Sequence, residues 1–545
     1  MKDSLRRAAA GLAACLLLTA CAQRAEGGAL PSGSADASAS GVYLSIARYE
    51  TGNVDPQCSA GDDTIALSVF DRLVEMETEP DGTARIVPSL AESWQVSDDG
   101  LAYTFRLRRG VAFSDGSPLT ASDVRYSLTR LLTHPESCYR EIAQPILGAA
   151  EVSRGDATLL RGVSIRGDLE LTVTLSEPYA PFLASLSSPG ASILEEEAAE
   201  RAGRVFGREP TSMIGTGPFI FESWKPRLEM TLRANPDCWS GAPRCAGIRI
   251  HIVSDSESQR LLFENGTLDI LDLDDLGVDA EYYFHGDIYR DLLRSAPRAS
   301  LDFIALNNAV APFDDVRVRR AMQLALDRDT LLTAIAGGRG EVENGLFPRG
   351  LAGHDPSPEP LSYEPEEARR LLDEAGLAEG FDVRLTLPRS ASRSMKELLA
   401  AVAAMWERVG VRAEVVTVED SVFLAQRNAG QLSCYAERWS AGYNDPDYFI
   451  YPYFGTAENS ARRSICYGDE QVMARIRRAR GLKDERERMD EYRALERKIV
   501  QEDAACIPLY SAWHCCIVSE RAEGFRMLWN GSSGGCYRDM TLNEE

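Results

Sequence analysis

The sequence predicts an α/β protein of two lobes, built from mixed sheets covered by helices. Three observations carry that expectation. About 500 residues follow a short apolar start, more than one core organises, since single cores stop growing near roughly 250–300 residues. The first half reads as turn-linked strands, whereas the second alternates helix with strand, which favours a partly parallel sheet. The rhythm changes near "SLDFIALNNAVAPF", residues 300–313.

At the front, Lys2, Arg6 and Arg7 form a basic patch ahead of an uncharged run from Ala8 to Ala20. That run is too short to span a bilayer, which needs roughly 20 apolar residues, and it has the length of an export signal. Leu18-Thr19-Ala20-Cys21 resembles the lipobox of bacterial lipoproteins. The resemblance implies a signal peptide over 1–20, cleavage before Cys21, and a diacylglycerol on its thiol. An ordinary signal peptide with an incidental cysteine is the bland alternative. Residues 21–41 read as a flexible tether, because Gly27 to Gly41 is nearly all Gly, Ala, Ser and Pro and buries too little apolar surface to order itself.

In "SWQVSDDGLAYTFRLRRGVAF", Leu101, Tyr103, Phe105 and Leu107 alternate with polar or small residues, and Asp99-Gly100 supplies the turn of a hairpin. Thr120 and Asp123 fit a capping box that opens a helix over about 122–132. "LELTVTLSEP" is a further strand, with Leu169, Leu171, Val173 and Leu175 on one side. In the second half, "DDVRVRRAMQLALDRDTLLTAIAGG" reads as helix stopped by Gly337-Gly338, and "EPEEARRLLDEAG" starts on Pro365 and stops at Gly376. Strand "FDVRLTL" follows, then a helix with Leu398, Val402, Met405, Trp406 and Val409 on one stripe, then strand "VRAEVVTVE".

The formal net charge of −24 argues against nucleic acid, whose binding is driven by clustered Lys and Arg. Basic residues are interspersed with acids, as in "KDERERMDEYRALERK", which reads as a solvated helix face with i,i+4 pairs. Of twelve cysteines, Cys15 and Cys21 belong to the leader region, leaving ten in an exported body where disulfides persist. Cys238 with Cys245, and Cys434 with Cys466, are candidate loop clips whose pairing spacing alone does not decide. No C-x-x-C occurs and His134, His251, His285, His354 and His514 are scattered, so no metal site is expected.

"GSSGG" around Ser533 matches a nucleophile elbow in letters only, because no helix and no histidine follow it. "LDILDLDDLGVDAE" would place Leu276 at a calcium-ligand position, so a solvated loop is expected there. Nothing pairs a nucleophile with a base, and no enzyme and no cofactor are expected. A surface hydrolase using Ser533 is the alternative from a different class.

Six segments together resemble the extracytoplasmic solute-binding proteins of the peptide, dipeptide and nickel type that serve ABC importers. They are "PSLAESWQVSDDGLAYTFRLRRGVAFSDGSPLTASDVRYSL", "GTGPFIFESWKP" with "NPDCW", "ENGTLDI", "APFDDVRVRRAMQLALDR", "EEARRLLDEAGL" and "RWSAGYNDPDYF", in order between about residues 42 and 525. The resemblance implies a bilobed periplasmic-binding-protein-like fold of the large, three-subdomain type. Lobe I would comprise 42–300 plus 508–545, with an inserted subdomain at about 88–205, and lobe II 301–507. Two hinge strands would cross near Phe303 to Asn307 and Ile507 to Trp513. The implied partners are a small solute, an ABC permease and ATPase, and a membrane reached through the lipid anchor, with the protein itself a monomer outside the cytoplasm.

In such proteins the segment matching Trp439-Ser440-Ala441-Gly442-Tyr443-Asn444-Asp445-Pro446 lines the cleft, and an aspartate there holds a peptide's amine. Gly442 stands where that aspartate is expected. A buried, unpaired ammonium is costly, so Glu437 or Asp445 would have to serve instead. Trp439 and Tyr443 could wall the ligand or pack in the lobe. Gln57, Cys58 and Ser59, in "DPQCS", match the loop that faces the ligand from lobe I. The implied function is capture of oligopeptides or a related solute. Metal complexes, haem or oligosaccharides are alternatives within the fold, as is a ligand sensor.

Overall fold

In the computed structural model, residues 40–59, 62–79, 84–274, 280–357, 360–532, 534 and 537–543 are described. Cys21, the tether up to residue 39, Leu276 and Ser533 lie outside them. Among the described residues no helix is long and apolar enough to cross a membrane.

The hairpin forms where alternation placed it, as strands Ala91–Val96 and Ala102–Leu107 with Trp94 opposite Phe105. Gly100 takes the left-handed conformation, φ 73°, that the turn requires. Glu170–Thr174 and Val163–Ile165 complete a four-stranded sheet. The helix Ala121–Thr133 covers it, its start fixed by Asp123, whose carboxylate accepts from the Thr120 amide and hydroxyl, both at 2.8 Å. Phe105, Leu131, Leu171 and Phe182 share one core.

A twelve-stranded sheet runs through the rest of the chain. Its order is Val411–Val418, Phe381–Pro388, Cys434–Ser440, Ser300–Leu306, Cys506–Val518, Ile270–Asp272, Ser40–Arg48, Cys245–Ile252, Glu229–Ala234 and Phe219–Lys225, with Leu293–Pro297 and Gly340–Val342 also on Cys506–Val518. Phe381–Pro388 pairs in parallel with Val411–Val418, as a strand–helix–strand unit should, the connection being the helix Arg393–Glu407. The stripe read from sequence faces inward: Leu398, Val402, Met405, Trp406 and Val409 are all buried in one core, and the Trp406 indole donates to the Met322 carbonyl at 3.2 Å.

Ser300–Leu306 is buried along its whole length. It lies antiparallel between Cys434–Ser440 and the first part of Cys506–Val518. The far part of that thirteen-residue strand pairs with Ile270–Asp272 and Leu293–Pro297. One strand therefore carries hydrogen bonds to both parts of the sheet.

Three local expectations differ. The segment from Asp314 to Gly338 forms two helices, Val316–Leu324 and Arg328–Ala336, because the Asp327 carboxylate accepts from the Thr330 amide at 3.0 Å and starts a second helix. The charged helix Glu485–Arg497 is not a wholly solvated face: Arg488, Met489, Tyr492, Leu495 and Glu496 are buried. Among the described residues Cys58, Cys138, Cys238, Cys245, Cys434, Cys466, Cys506, Cys515 and Cys516 are free thiols, so neither candidate loop clip is closed.

Candidate functional site

The strand Cys434–Ser440 ends at Ser440, and the chain turns through Ala441 to Pro446 into the helix Asp447–Phe454. Two acids fix that turn. Asp445 is buried in a bidentate pair with Arg488, and its Oδ1 also accepts from the Asp447 amide at 2.9 Å. Asp447 pairs with Arg480 at 3.1 Å and accepts from the Tyr492 hydroxyl at 3.0 Å. Burial still pushes the Asp447 carboxyl above its ordinary range. Glu437 is likewise committed, to Arg427 at 2.9 Å, Arg463 at 3.5 Å and the Tyr453 hydroxyl at 2.9 Å.

Against this turn opens a cavity of about 570 Å³, within the usual range of roughly 300–1,000 Å³ for small-molecule sites. One wall comes from Cys138 to Tyr179, the other from Trp439 to Arg480. The second wall is aromatic: Trp439 stacks on Tyr448 with centroids 5.4 Å apart, and Tyr443 meets the Tyr448 edge at 4.8 Å. Arginines lie on those rings, Arg463 at 4.5 Å from Trp439 and Arg480 at 3.5 Å from Tyr451. The walls touch where the Tyr179 and Tyr443 hydroxyls meet at 2.8 Å and the Ala180 amide donates to the Arg480 carbonyl at 2.8 Å. Burial raises the pKa of both phenols, so they meet as neutral hydroxyls.

Gly442 packs against Tyr448. A Cβ there would lie 2.9 Å from Cζ and Oη of Tyr448, so the Tyr448 ring occupies the space of a side chain at 442. On the opposite wall stands Glu141. It opens onto the cavity, yet the surrounding protein desolvates its carboxyl enough to push it up to about 7. Its charge in turn contributes, after burial, to holding the Tyr448 phenol above its ordinary range.

Of the residues singled out from sequence, Trp439 and Tyr443 line this cavity. Ser440 is exposed, Ala441 packs in the core beside it, and Glu437 and Asp445 face inward onto arginines. Gln57 is buried, its amide donating to the Ser127 carbonyl and accepting from Arg130. Cys58 lies 3.1 Å from Nδ1 of His134, and the Ser59 carbonyl accepts from the Tyr139 hydroxyl at 3.3 Å. These three stand behind Cys138, whose amide donates to the Gln57 carbonyl. Glu141, Tyr179, Tyr448, Arg463 and Arg480 line the cavity without having been singled out. Tyr448 lies inside the quoted "RWSAGYNDPDYF", whereas Glu141 and Tyr179 sit in stretches with no distinctive pattern.

A larger groove, about 850 Å³, runs beside Phe381–Pro388 and Val411–Val418, lined by Asp382, Arg384, Arg412 and Glu414 and by no aromatic ring. The aromatic cavity has the rings and the few fixed polar groups that small-molecule sites use.

The chain is 29% identical over 471 residues to "Heme-binding protein A" of Haemophilus influenzae, covering 84% of each chain. It is 28% identical over 459 residues to the dipeptide-binding protein of Escherichia coli, covering 81% of this chain and 83% of that one. Its fold matches that of NikA from Brucella suis, solved with Fe(III)-EDTA, with a TM-score of 0.80 at 22% identity over 92% of this chain and all of the other. Residues 85–461 match the profile of the bacterial extracellular solute-binding proteins, family 5, middle region. The chain belongs to the bacterial extracellular solute-binding proteins of family 5.

Proposed function

We propose that this protein captures small peptides or a closely related solute outside the cytoplasm and hands them to the permease of an ABC importer, without altering them. The observation that carries this reading is the aromatic cavity between the 138–179 and 439–480 segments, closed by the Tyr179–Tyr443 contact. A cavity with two walls from separate parts of the chain suits capture, because closure is stabilised by contacts made only when both walls engage the guest. Peptide names among the relatives support the ligand class. In this reading lobe I is 42–300 plus 508–545, lobe II is 301–507, and the strands around Phe303 to Asn307 and Ile507 to Trp513 are the hinge. Cys21 carries the lipid that keeps a monomeric receptor beside its transporter.

A thermal-shift screen of di- to pentapeptides on protein stripped of bound solute tests the ligand class. A binder at about 100 times its dissociation constant should add roughly 2.7 kcal/mol of stability. An unmoved melting temperature across the whole panel, with haem or a metal chelate stabilising instead, would replace peptide with that ligand.

A further inference from the structure

The charges around the cavity divide unevenly. Each arginine on the aromatic wall has an acid beside it: Arg480 has Asp447 at 3.1 Å, Arg462 has Glu458 at 3.1 Å, and Arg463 has Glu437 at 3.5 Å, a carboxylate it shares with Arg427. Among the described residues Glu141 and Glu177 on the opposite wall have no ion pair and no hydrogen bond to another side chain. Arg140, next to Glu141, points elsewhere and donates to the Leu132 and His134 carbonyls. The cavity acids that lack an arginine are therefore Glu141 and Glu177, both on the wall across from Gly442.

Resting on the peptide reading above, we infer that Glu141 is the anchor for the ligand's ammonium group, with Glu177 as a second acceptor beside it. The substrate class is a solute with a free primary amine, held in the reverse sense to one tethered at residue 442. Three facts converge. The 442 position has no carboxylate, and Cζ and Oη of Tyr448 stand 2.9 Å from where a Cβ would lie. The acids on the 437–447 stretch are spent on arginines. Glu141 and Tyr448 line the same cavity from opposite walls, so an ammonium between them would meet a carboxylate on one side and an aromatic surface on the other. Amine-bearing guests then gain a charge-assisted bond that N-acylated ones cannot make.

The test uses a di- to pentapeptide mixture and its N-acetylated counterpart, with retained species counted by native mass spectrometry and titrated by calorimetry. Wild type should retain free-amine members. E141Q should weaken them by about 5-fold, the size expected when one partner of a solvent-exposed ion pair is removed, and shift N-acetylated members less. Circular dichroism of E141Q should match wild type, since the residue is exposed. In the E141Q background, clearing the ring and adding the missing acid (Y448A with G442D) should restore preference for the free amine. If wild type binds free peptides and E141Q binds them equally well, the anchor assignment is wrong while the peptide reading stands. If wild type prefers the N-acetylated mixture, or retains neither mixture, the anchor assignment is overturned, and in the second case the peptide reading falls with it.

Discussion

The hydroxyls of Tyr179 and Tyr443 meet at 2.8 Å although 264 residues separate them in sequence. Both are buried, so each is the other's replacement for water. Beside them the Ala180 amide donates to the Arg480 carbonyl, and the Arg480 guanidinium lies 4.8 Å from the Tyr179 ring. Together these contacts form the seam that shuts the cavity on one side.

Replacing Tyr443 by Phe leaves the Tyr179 hydroxyl buried without its partner, an imbalance of about 1–3 kcal/mol. The seam should open more often. Hydrogen exchange at the Ala180 amide should accelerate in Tyr443→Phe while amides within Ser300–Leu306 keep their protection. Equal acceleration in both places would mean the contact supports the whole fold instead of the seam.

Asp445 and Arg488 form a buried bidentate pair. Arg488→Ala should destabilise by about 3–5 kcal/mol, because it strands a carboxylate in the interior. Denaturant unfolding measures the loss. A change below about 1 kcal/mol would show that water reaches Asp445 freely.

Glu343 and Glu496 are buried carboxyls whose protonated forms the fold favours. Burial pushes Glu343 from 4.5 up to about 8 and Glu496 from 4.5 up to about 7. The folded state thus holds protons that the unfolded chain releases above about 4.5. Their contribution is fully present below that pH and is lost as pH rises through about 7 to 8. Glu343→Gln, which is neutral throughout, should flatten the decline between pH 5 and 8, recovering on the order of 3–5 kcal/mol at the alkaline end. Parallel curves for wild type and variant would show that Glu343 titrates normally.

If Cys21 carries a diacylglycerol, Cys21→Ser should move the protein from the membrane fraction to the soluble fraction of cells, with ligand binding unchanged. Persistence in the membrane fraction would point to another means of attachment.

Much of the scaffold was legible because local physics decided it. The stripe on Arg393–Glu407 has one apolar side, so only one face can turn inward. The alternation in Ala102–Leu107 and the Thr120–Asp123 cap work within a few residues. The site was legible on one wall only. Trp439 and Tyr443 belong to a distinctive stretch, whereas Glu141, in the helix Arg140–Ala143, and Tyr179, in a loop, acquire their role by being brought against it from a distant part of the chain. Asp445 illustrates the remaining limit: its acidity is visible in sequence, but the arginine that consumes it comes from a helix 43 residues later whose charges read as solvated. Gly442 is visible as a departure, while the Tyr448 ring against it is a matter of three-dimensional packing.

Capture without chemistry is tested most directly by native mass spectrometry of wild-type protein incubated with the free-amine peptide mixture, then unfolded to release what it holds. One guest per protein chain, recovered at its original mass after prolonged incubation and lost when Trp439 and Tyr448 are both replaced by Ala, is the expected result. Recovery of cleaved or modified guests, or retention that ignores those two rings, would contradict it.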